Sequence, residues 1–136
     1  MTLPRRILGV TGTRAEFGLL VPVFQAIEAK PELELLVAVS GSHLLAPART
    51  RDEVAAMYPI VAEVAMQRDG ESGRFADAHA FARGVEGMTN VIDALRPDVV
   101  MVLGDRIEAF AGASAAAIAG VRVAHIHGGD RAEGVA

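Results

Sequence analysis

Residues 96–108 read RPDVVMVLGDRIE, and they contain the strongest strand signal in the chain, Val99–Leu103. Pro97 and Asp98 precede this run, and Gly104 follows it. Every position in the run is apolar, which is typical of a parallel strand that helices cover on both faces. The stretch therefore predicts one strand of a parallel α/β sheet, ending in a polar turn.

Similar apolar runs predict four further strands, at Ile7–Val10, Leu33–Val39, Ile60–Met66 and Val121–Ile126. Helical periodicity fills the intervals, beginning with a helix from Arg14 to Ala29 that either kinks or restarts at Pro22. One later helix has an apolar stripe at Phe81, Val85, Met88, Ile92 and Leu95. Another has a stripe of mostly smaller residues at Ile107, Phe110, Ala111, Ser114, Ala115 and Ile118. Residues 41–52 and 69–73 are predicted to be loops.

This alternation predicts an open, mostly parallel, doubly wound α/β sheet of the Rossmann-like class, with strand order 3-2-1-4-5. Such sheets bind ligands at the carboxyl ends of their strands, where we expect Arg14, His43, Asp105 and Asp130 to meet. The chain ends ten residues after the last predicted strand, at Ala136. We therefore expect residues 1–136 to be a truncated amino-terminal domain.

Composition narrows the functional class. The 136 residues are 51% hydrophobic and 22% charged, with a formal net charge of −4, so the chain is not a typical nucleic-acid binder. It has no cysteine, which excludes disulfides and thiolate metal sites. The longest charge-free apolar stretch, Ala109–Val121, is too short to span a bilayer. With no signal peptide visible, we expect a cytoplasmic protein without a membrane partner.

Two turns at the predicted ligand edge each have a structural and a functional interpretation. At residues 11–16, TGTRAE, Thr13 and Glu16 fit a capping box, while Arg14 at a helix amino terminus fits phosphate binding. In GDRIE, Asp105 is either the cap of the next helix or a catalytic carboxylate. Arg106 and Glu108 are interpreted as solvent-facing ions.

The segment HIHGGD, residues 125–130, ends the last predicted strand. Two histidines spaced by two lie on one face of a strand, and Asp130 would supply a third metal ligand. The alternative is that Gly128 and Gly129 let the backbone approach a ligand while Asp130 does acid–base work. His43 follows the second strand at the same edge, and His79 is expected to be solvated.

Four blocks together resemble the UDP-N-acetylglucosamine 2-epimerase family, in order and over nearly the whole chain. They are TGTRAEFGLL-x-P at Thr11–Pro22, SGSHL at Ser40–Leu44, RPDVVMVLGDRIE at Arg96–Glu108 and VAHIHGGDRAEG at Val123–Gly134. Within that family, GDR followed by HIHGGD resembles the hydrolysing branch, whereas the other branch typically has GDT and HVEAG.

The resemblance implies the amino-terminal half of a two-domain enzyme of the GT-B type, whose second domain holds most uridine contacts. Such an enzyme converts UDP-N-acetylglucosamine, or a related UDP-diacetamido sugar, and water to N-acetylmannosamine or its analogue and UDP. It uses no cofactor or metal and is expected to be a homo-oligomer at full length. Asp105 and Asp130 match its catalytic acids, and a further acid lies beyond Ala136. Its substrate-binding positions match Arg14, His43, His127, Gly128 and Gly129.

Two rival readings remain at this stage. The same scaffold supports other sugar-nucleotide reactions, such as glycosyl transfer, and product analysis separates these from epimerisation. A standalone binding module is the second rival, and a stop codon directly after Ala136 would favour it.

Overall fold

The computed structural model describes residues 3–46 and 49–128. Five parallel strands form one sheet in the order β3-β2-β1-β4-β5, which confirms the predicted order and direction. The strands are β1 Arg5–Thr11, β2 Leu33–Ser40, β3 Ile60–Val64, β4 Val99–Leu103 and β5 Arg122–Ile126. Because all five run in the same direction, the loops that follow them emerge at one edge of the sheet.

Helices cover both faces of this sheet. They are α1 Arg14–Glu28, α2 Arg51–Ala55, α3 Arg74–Leu95 and α4 Ile107–Ile118, and a 3₁₀ turn spans Gly41–Leu44. Leu8 of β1 belongs to the core beneath α3 and α4, while its neighbour Ile7 belongs to the core beneath α1. Alternate side chains of β1 therefore belong to two separate hydrophobic layers, as a doubly wound sheet requires.

The first helix runs through Pro22 without restarting. Pro22 lies inside α1, which continues from Arg14 to Glu28. Proline cannot donate a hydrogen bond to the carbonyl four residues earlier, which belongs to Gly18. Both Pro22 and Gly18 are exposed, so water can satisfy that carbonyl and the helix tolerates the missing bond.

The predicted apolar stripe of α4 is wrong in part. Phe110 is 62% exposed and Ile118 is 86% exposed, although Ala111 and Ala115 are buried as expected. The buried side of the helix, which packs against the sheet and α3, instead contains Glu108, Ala109, Ala111, Gly112, Ala115 and Ala116. All of these residues except Glu108 are small, and their small size lets α4 lie close to the strands. On α3, Met88 and Ile92 of the predicted stripe are buried.

The segment predicted as a loop at residues 41–52 contains the 3₁₀ turn and the start of α2. Strand β3 ends two residues earlier than predicted, at Val64, while Met66 is still buried. His79 is exposed, as expected. Within residues 3–46 and 49–128, no helix is long and apolar enough to cross a membrane.

Candidate functional site

The loops after β1, β2 and β4 bring three of the predicted site residues to the carboxyl edge of the sheet. Arg14 begins α1, His43 lies in the 3₁₀ turn, and Asp105 lies between β4 and α4. Gly129 and Asp130 lie outside the described residues, so their predicted roles stay predictions. The edge therefore holds the part of the predicted site that the sheet itself positions.

The turn between β1 and α1 forms half of the predicted capping box. The Thr13 hydroxyl accepts from the backbone N–H of Glu16 at 3.2 Å, as expected. The Glu16 carboxylate, however, accepts from the backbone N–H of Gly12 at 2.7 Å, and not from Thr13. Burial raises the pKa of Glu16 to about 7, and the nearby Glu108 carboxylate contributes to the rise. Glu16 is therefore a buried carboxyl group that exchanges its proton near neutral pH.

Arg14 lies at the amino terminus of α1 with a largely exposed side chain. Its Nε atom is 3.0 Å from Oε2 of Glu53, and the Arg14 side chain is 74% exposed. An exposed ion pair of this kind contributes little stability, so an incoming phosphate can displace Glu53. Helix position and exposure are both consistent with the predicted phosphate contact.

The buried His43 side chain connects three segments of the chain. It is only 1% exposed. Its Nε2 atom is 2.9 Å from the Thr11 hydroxyl, and its Nδ1 atom is 2.9 Å from the Thr50 hydroxyl. Burial lowers the pKa of His43, which favours the neutral ring. His43 thus links the end of β1 to the start of α2, and its contact with a substrate stays a prediction.

Asp105 does not cap α4. The cap residue is Arg106, whose side chain makes no capping hydrogen bond. Asp105 is exposed, and within the described part of the chain its carboxylate makes no hydrogen bond or ion pair. It lines two adjoining clefts of 270 and 310 Å³, one beside Gln67 and Arg106 and the other beside Phe110 and His125. The carboxylate is therefore available to a ligand in either cleft.

The interpretation of Glu108 as a solvent-facing ion is wrong. Its side chain is fully buried, and its carboxylate accepts from Gln67 Nε2 at 2.7 Å and from Arg106 Nε at 3.1 Å. The helical pattern contained a signal for this burial: Glu108, Ala111 and Ala115 share one face of α4. Sequence reasoning missed it because a charged residue in a first turn is usually exposed.

The end of β5 is hydrogen-bonded to the turn that precedes Asp105. The His125 ring Nε2 lies 2.6 Å from the Gly104 carbonyl oxygen, so Nε2 carries the hydrogen and donates. In return, the Gly104 N–H donates to the Ile126 carbonyl at 3.0 Å. These two bonds fix Gly104, which has a φ of +80°. They fix the direction of the backbone that leads from Gly104 to Asp105.

The two histidines do not share one strand face, which corrects the expected geometry of a metal site. β5 ends at Ile126, and His127 adopts a left-handed conformation with φ of +58°. Gly128 follows, and a Cβ atom added there would collide with the His125 ring. Among the residues described, no three His, Cys, Asp or Glu side chains cluster as metal ligands. Asp130 lies outside those residues, so the absence of a metal stays a prediction.

Known proteins are similar to this chain in sequence and in fold. A sequence model of the UDP-N-acetylglucosamine 2-epimerase family matches residues 25–136. The chain is 38% identical, over 93% of its length, to the UDP-N-acetylglucosamine 2-epimerase of Neisseria meningitidis serogroup B. It is 34% identical, over 93% of its length, to the hydrolysing UDP-N,N'-diacetylbacillosamine 2-epimerase of Legionella pneumophila. It spans 33% and 34% of the lengths of these two relatives.

Solved structures agree with these matches. A putative UDP-N-acetylglucosamine 2-epimerase from Listeria monocytogenes superposes with a TM-score of 0.79 at 26% identity, over 96% of this chain and 33% of that one. The N. meningitidis enzyme, solved with UDP-GlcNAc bound, has the same fold, with a TM-score of 0.76 over 95% of this chain and 34% of that one. The family match covers most of the chain, so this protein belongs to the UDP-N-acetylglucosamine 2-epimerase family.

Proposed function

We propose that this chain is the amino-terminal domain of a hydrolysing UDP-N-acetylglucosamine 2-epimerase. The full-length enzyme would convert UDP-N-acetylglucosamine, or a related UDP-diacetamido sugar, and water to N-acetylmannosamine, or its analogue, and UDP. The chain spans about one third of the length of these relatives, which supports a longer full-length enzyme, and we propose that its further domain holds the uridine. We also propose that the full-length enzyme is a cytoplasmic homo-oligomer, that it needs no cofactor, and that the 136-residue chain alone is inactive.

The observation that carries the proposal is the carboxylate of Asp105, which has no partner among residues 3–46 and 49–128 and lies between two clefts at the sheet's carboxyl edge. In the proposed reaction a base removes the proton on sugar carbon 2 while UDP leaves from carbon 1. Water then adds to carbon 1 of the resulting glycal, and a proton returns to the opposite face of carbon 2. A carboxylate beside an open cleft suits such proton transfer, because no donor in the described part of the chain competes for its lone pairs.

Each of the remaining site residues would have a separate role. Arg14, exposed at the first turn of α1, would neutralise the leaving diphosphate. Asp130 would be the second acid–base group, and Gly128 and Gly129 would allow the backbone to approach the sugar. His43 and His127 would complete the pocket. The proton on carbon 2 is weakly acidic, so stabilising the departing diphosphate lowers the barrier to its removal.

The direct test is the identity of the products of the full-length enzyme. UDP-N-acetylglucosamine and, separately, a UDP-diacetamido sugar are incubated with the enzyme, and the products are followed by proton NMR. The proposal predicts free N-acetylmannosamine, or its analogue, together with UDP. UDP-N-acetylmannosamine as the final product would show the non-hydrolysing reaction, and a sugar joined to an acceptor would show glycosyl transfer. Either result would overturn the proposal.

A further inference from the structure

The Glu108 side chain lies where the loops that follow four of the five strands meet. It contacts the positions of Gly12 after β1 and Gly41 after β2, where an added Cβ atom would collide with its side chain. It also accepts hydrogen bonds from Gln67 after β3 and from Arg106 after β4. One carboxylate, fully buried, thus joins the whole central part of the ligand edge.

Arg106 is held side-on by this carboxylate. Its Nε atom is 3.1 Å from Oε2 of Glu108, and its Nη2 atom is 3.3 Å from Oε1. The Gln67 amide donates to the same Oε1 at 2.7 Å. Two parallel contacts to one carboxylate fix the plane of a guanidinium group as well as its position. The arginine is therefore oriented before any ligand arrives.

The rest of the guanidinium group is available at the site. The Arg106 side chain is 50% exposed, and it lines the cleft of 270 Å³ together with Asp105. Of its five N–H groups, the two contacts to Glu108 use two. Glu108 is its sole ion-pair partner among residues 3–46 and 49–128. A fixed cation with unused donors thus lies next to the carboxylate proposed to act in catalysis.

Stability alone is a poor account of this arrangement. The fully buried Glu108 carboxylate loses its hydration, and an ion pair with the half-exposed Arg106 offsets only part of that cost. A rigid guanidinium, by contrast, matches the oxygen atoms of phosphates and carboxylates in a way that a mobile one does not. The geometry favours a functional reason for burying Glu108.

We propose that Glu108 is a positioning residue, which holds Arg106 so that its free N–H groups bind oxygen atoms of the UDP-sugar beside Asp105. This inference rests on the proposed function. Glu108 itself touches no substrate; it acts through Arg106. Gln67, bound to the same carboxylate, keeps Glu108 in place.

The test has one arm that needs no substrate. In the 136-residue chain, the Arg106 Nε–H resonance is assigned in ¹H–¹⁵N NMR spectra by its loss in Arg106→Lys. The proposal expects this N–H to be protected from solvent exchange in the wild type and less protected in Glu108→Gln, where a neutral amide keeps only one acceptor oxygen. A wild-type N–H without protection would overturn the proposal, and this holds even where Glu108→Gln fails to fold.

The second arm is a double-mutant cycle of kcat and KM in the full-length enzyme, with Glu108→Gln, Arg106→Ala and both together. Misplacing a binding group by about 1 Å costs about 100-fold in rate, and removing it should cost at least as much. Each single change should therefore lower kcat/KM by about that factor or more, through KM as well as kcat, since the bound oxygen atoms are present before and during the reaction. The double variant should be no worse than Arg106→Ala by more than about threefold, since Glu108 acts only through Arg106. Multiplied losses would make Glu108 merely structural and overturn the proposal.

Asp93→Asn is the matched control. Asp93 pairs with Arg96 at the exposed end of α3, so it tests the removal of an arginine partner far from the cleft. It should leave kcat/KM unchanged. A wild-type enzyme that releases no UDP would refute the proposed function, and the protection of the Arg106 N–H would still decide whether Glu108 fixes Arg106.

Discussion

Gly12 lies directly against the buried side chain of Glu108. A Cβ atom on Gly12 would lie 2.5 Å from Glu108 Cγ and 2.7 Å from Glu108 Cβ, closer than such atoms can approach. The absence of a side chain at the end of β1 is therefore what makes room for a carboxylate from α4. This contact joins the first and fourth strand ends, which carry Arg14 and Asp105.

Gly12→Ala should therefore destabilise the fold. Overpacking of a core position typically costs about 1–3 kcal/mol, and here neither the β1 backbone nor the buried Glu108 can move freely. The matched control is Gly18→Ala in α1, where an added Cβ meets nothing within 4 Å. That change should stabilise the helix by up to about 1 kcal/mol. Urea denaturation measures both, and a Gly12→Ala protein as stable as the wild type would contradict the packing described.

Glu16 should make the stability depend on pH. Burial raises its pKa from 4.5 to about 7, so between these values the folded state binds a proton that the unfolded state releases. The contribution of Glu16 is complete below pH 4.5 and is lost as the pH rises towards 7. Since one pKa unit corresponds to about 1.36 kcal/mol, the loss is up to about 3 kcal/mol.

Glu16→Gln isolates the contribution of Glu16 ionisation to the free energy of unfolding, because glutamine can still accept from the Gly12 N–H while carrying no charge. Urea denaturation from pH 4 to 8 should show that the wild type loses stability relative to Glu16→Gln as the pH rises. His43, whose pKa is lowered, is present in both proteins and cancels in the difference. A difference that stays constant with pH would contradict the buried, protonated state of Glu16.

Much of the fold could be predicted from the sequence, because each central strand is a short run of apolar residues with polar turns around it. Val99–Leu103 was predicted to the residue. Phe110 was misplaced, since helical periodicity alone cannot tell that small residues face the sheet while the aromatic ring stacks on Phe81 at 4.7 Å. Glu108 was missed for a different reason: its burial depends on Gly12, Gly41 and Gln67, which are distant in sequence.

Arg14→Ala in the full-length enzyme should raise KM as well as lower kcat. The negative charge of the diphosphate is present before and during the reaction, so the arginine stabilises both states. A hydrogen bond to a charged group is worth about 1.5–3 kcal/mol, or about 10- to 100-fold in kcat/KM. Steady-state kinetics with varied UDP-N-acetylglucosamine measures this.

Glu53→Gln serves as the counterpart, because it releases Arg14 from its ion pair without removing the guanidinium. It should leave KM unchanged or lower it. A KM unaffected by Arg14→Ala would remove Arg14 from the phosphate site.

The proposed elimination should incorporate solvent hydrogen at sugar carbon 2. When the full-length enzyme works in D₂O, the proton removed from carbon 2 exchanges with solvent, and hydration of the glycal adds deuterium there. NMR of the released N-acetylmannosamine should show one deuterium at carbon 2. Product that retains its original hydrogen at that carbon would exclude an exchanging base at this step.

The central claim, that Asp105 is a catalytic carboxylate, is tested most directly by Asp105→Asn in the full-length enzyme. Asparagine keeps the shape of the side chain and removes its proton chemistry, and an acid–base group typically contributes about 100- to 10,000-fold in rate. UDP release at saturating substrate should fall by such a factor, while Asp69→Asn, an exposed carboxylate in the loop after β3, should leave it unchanged. Near-wild-type turnover in Asp105→Asn would contradict the account.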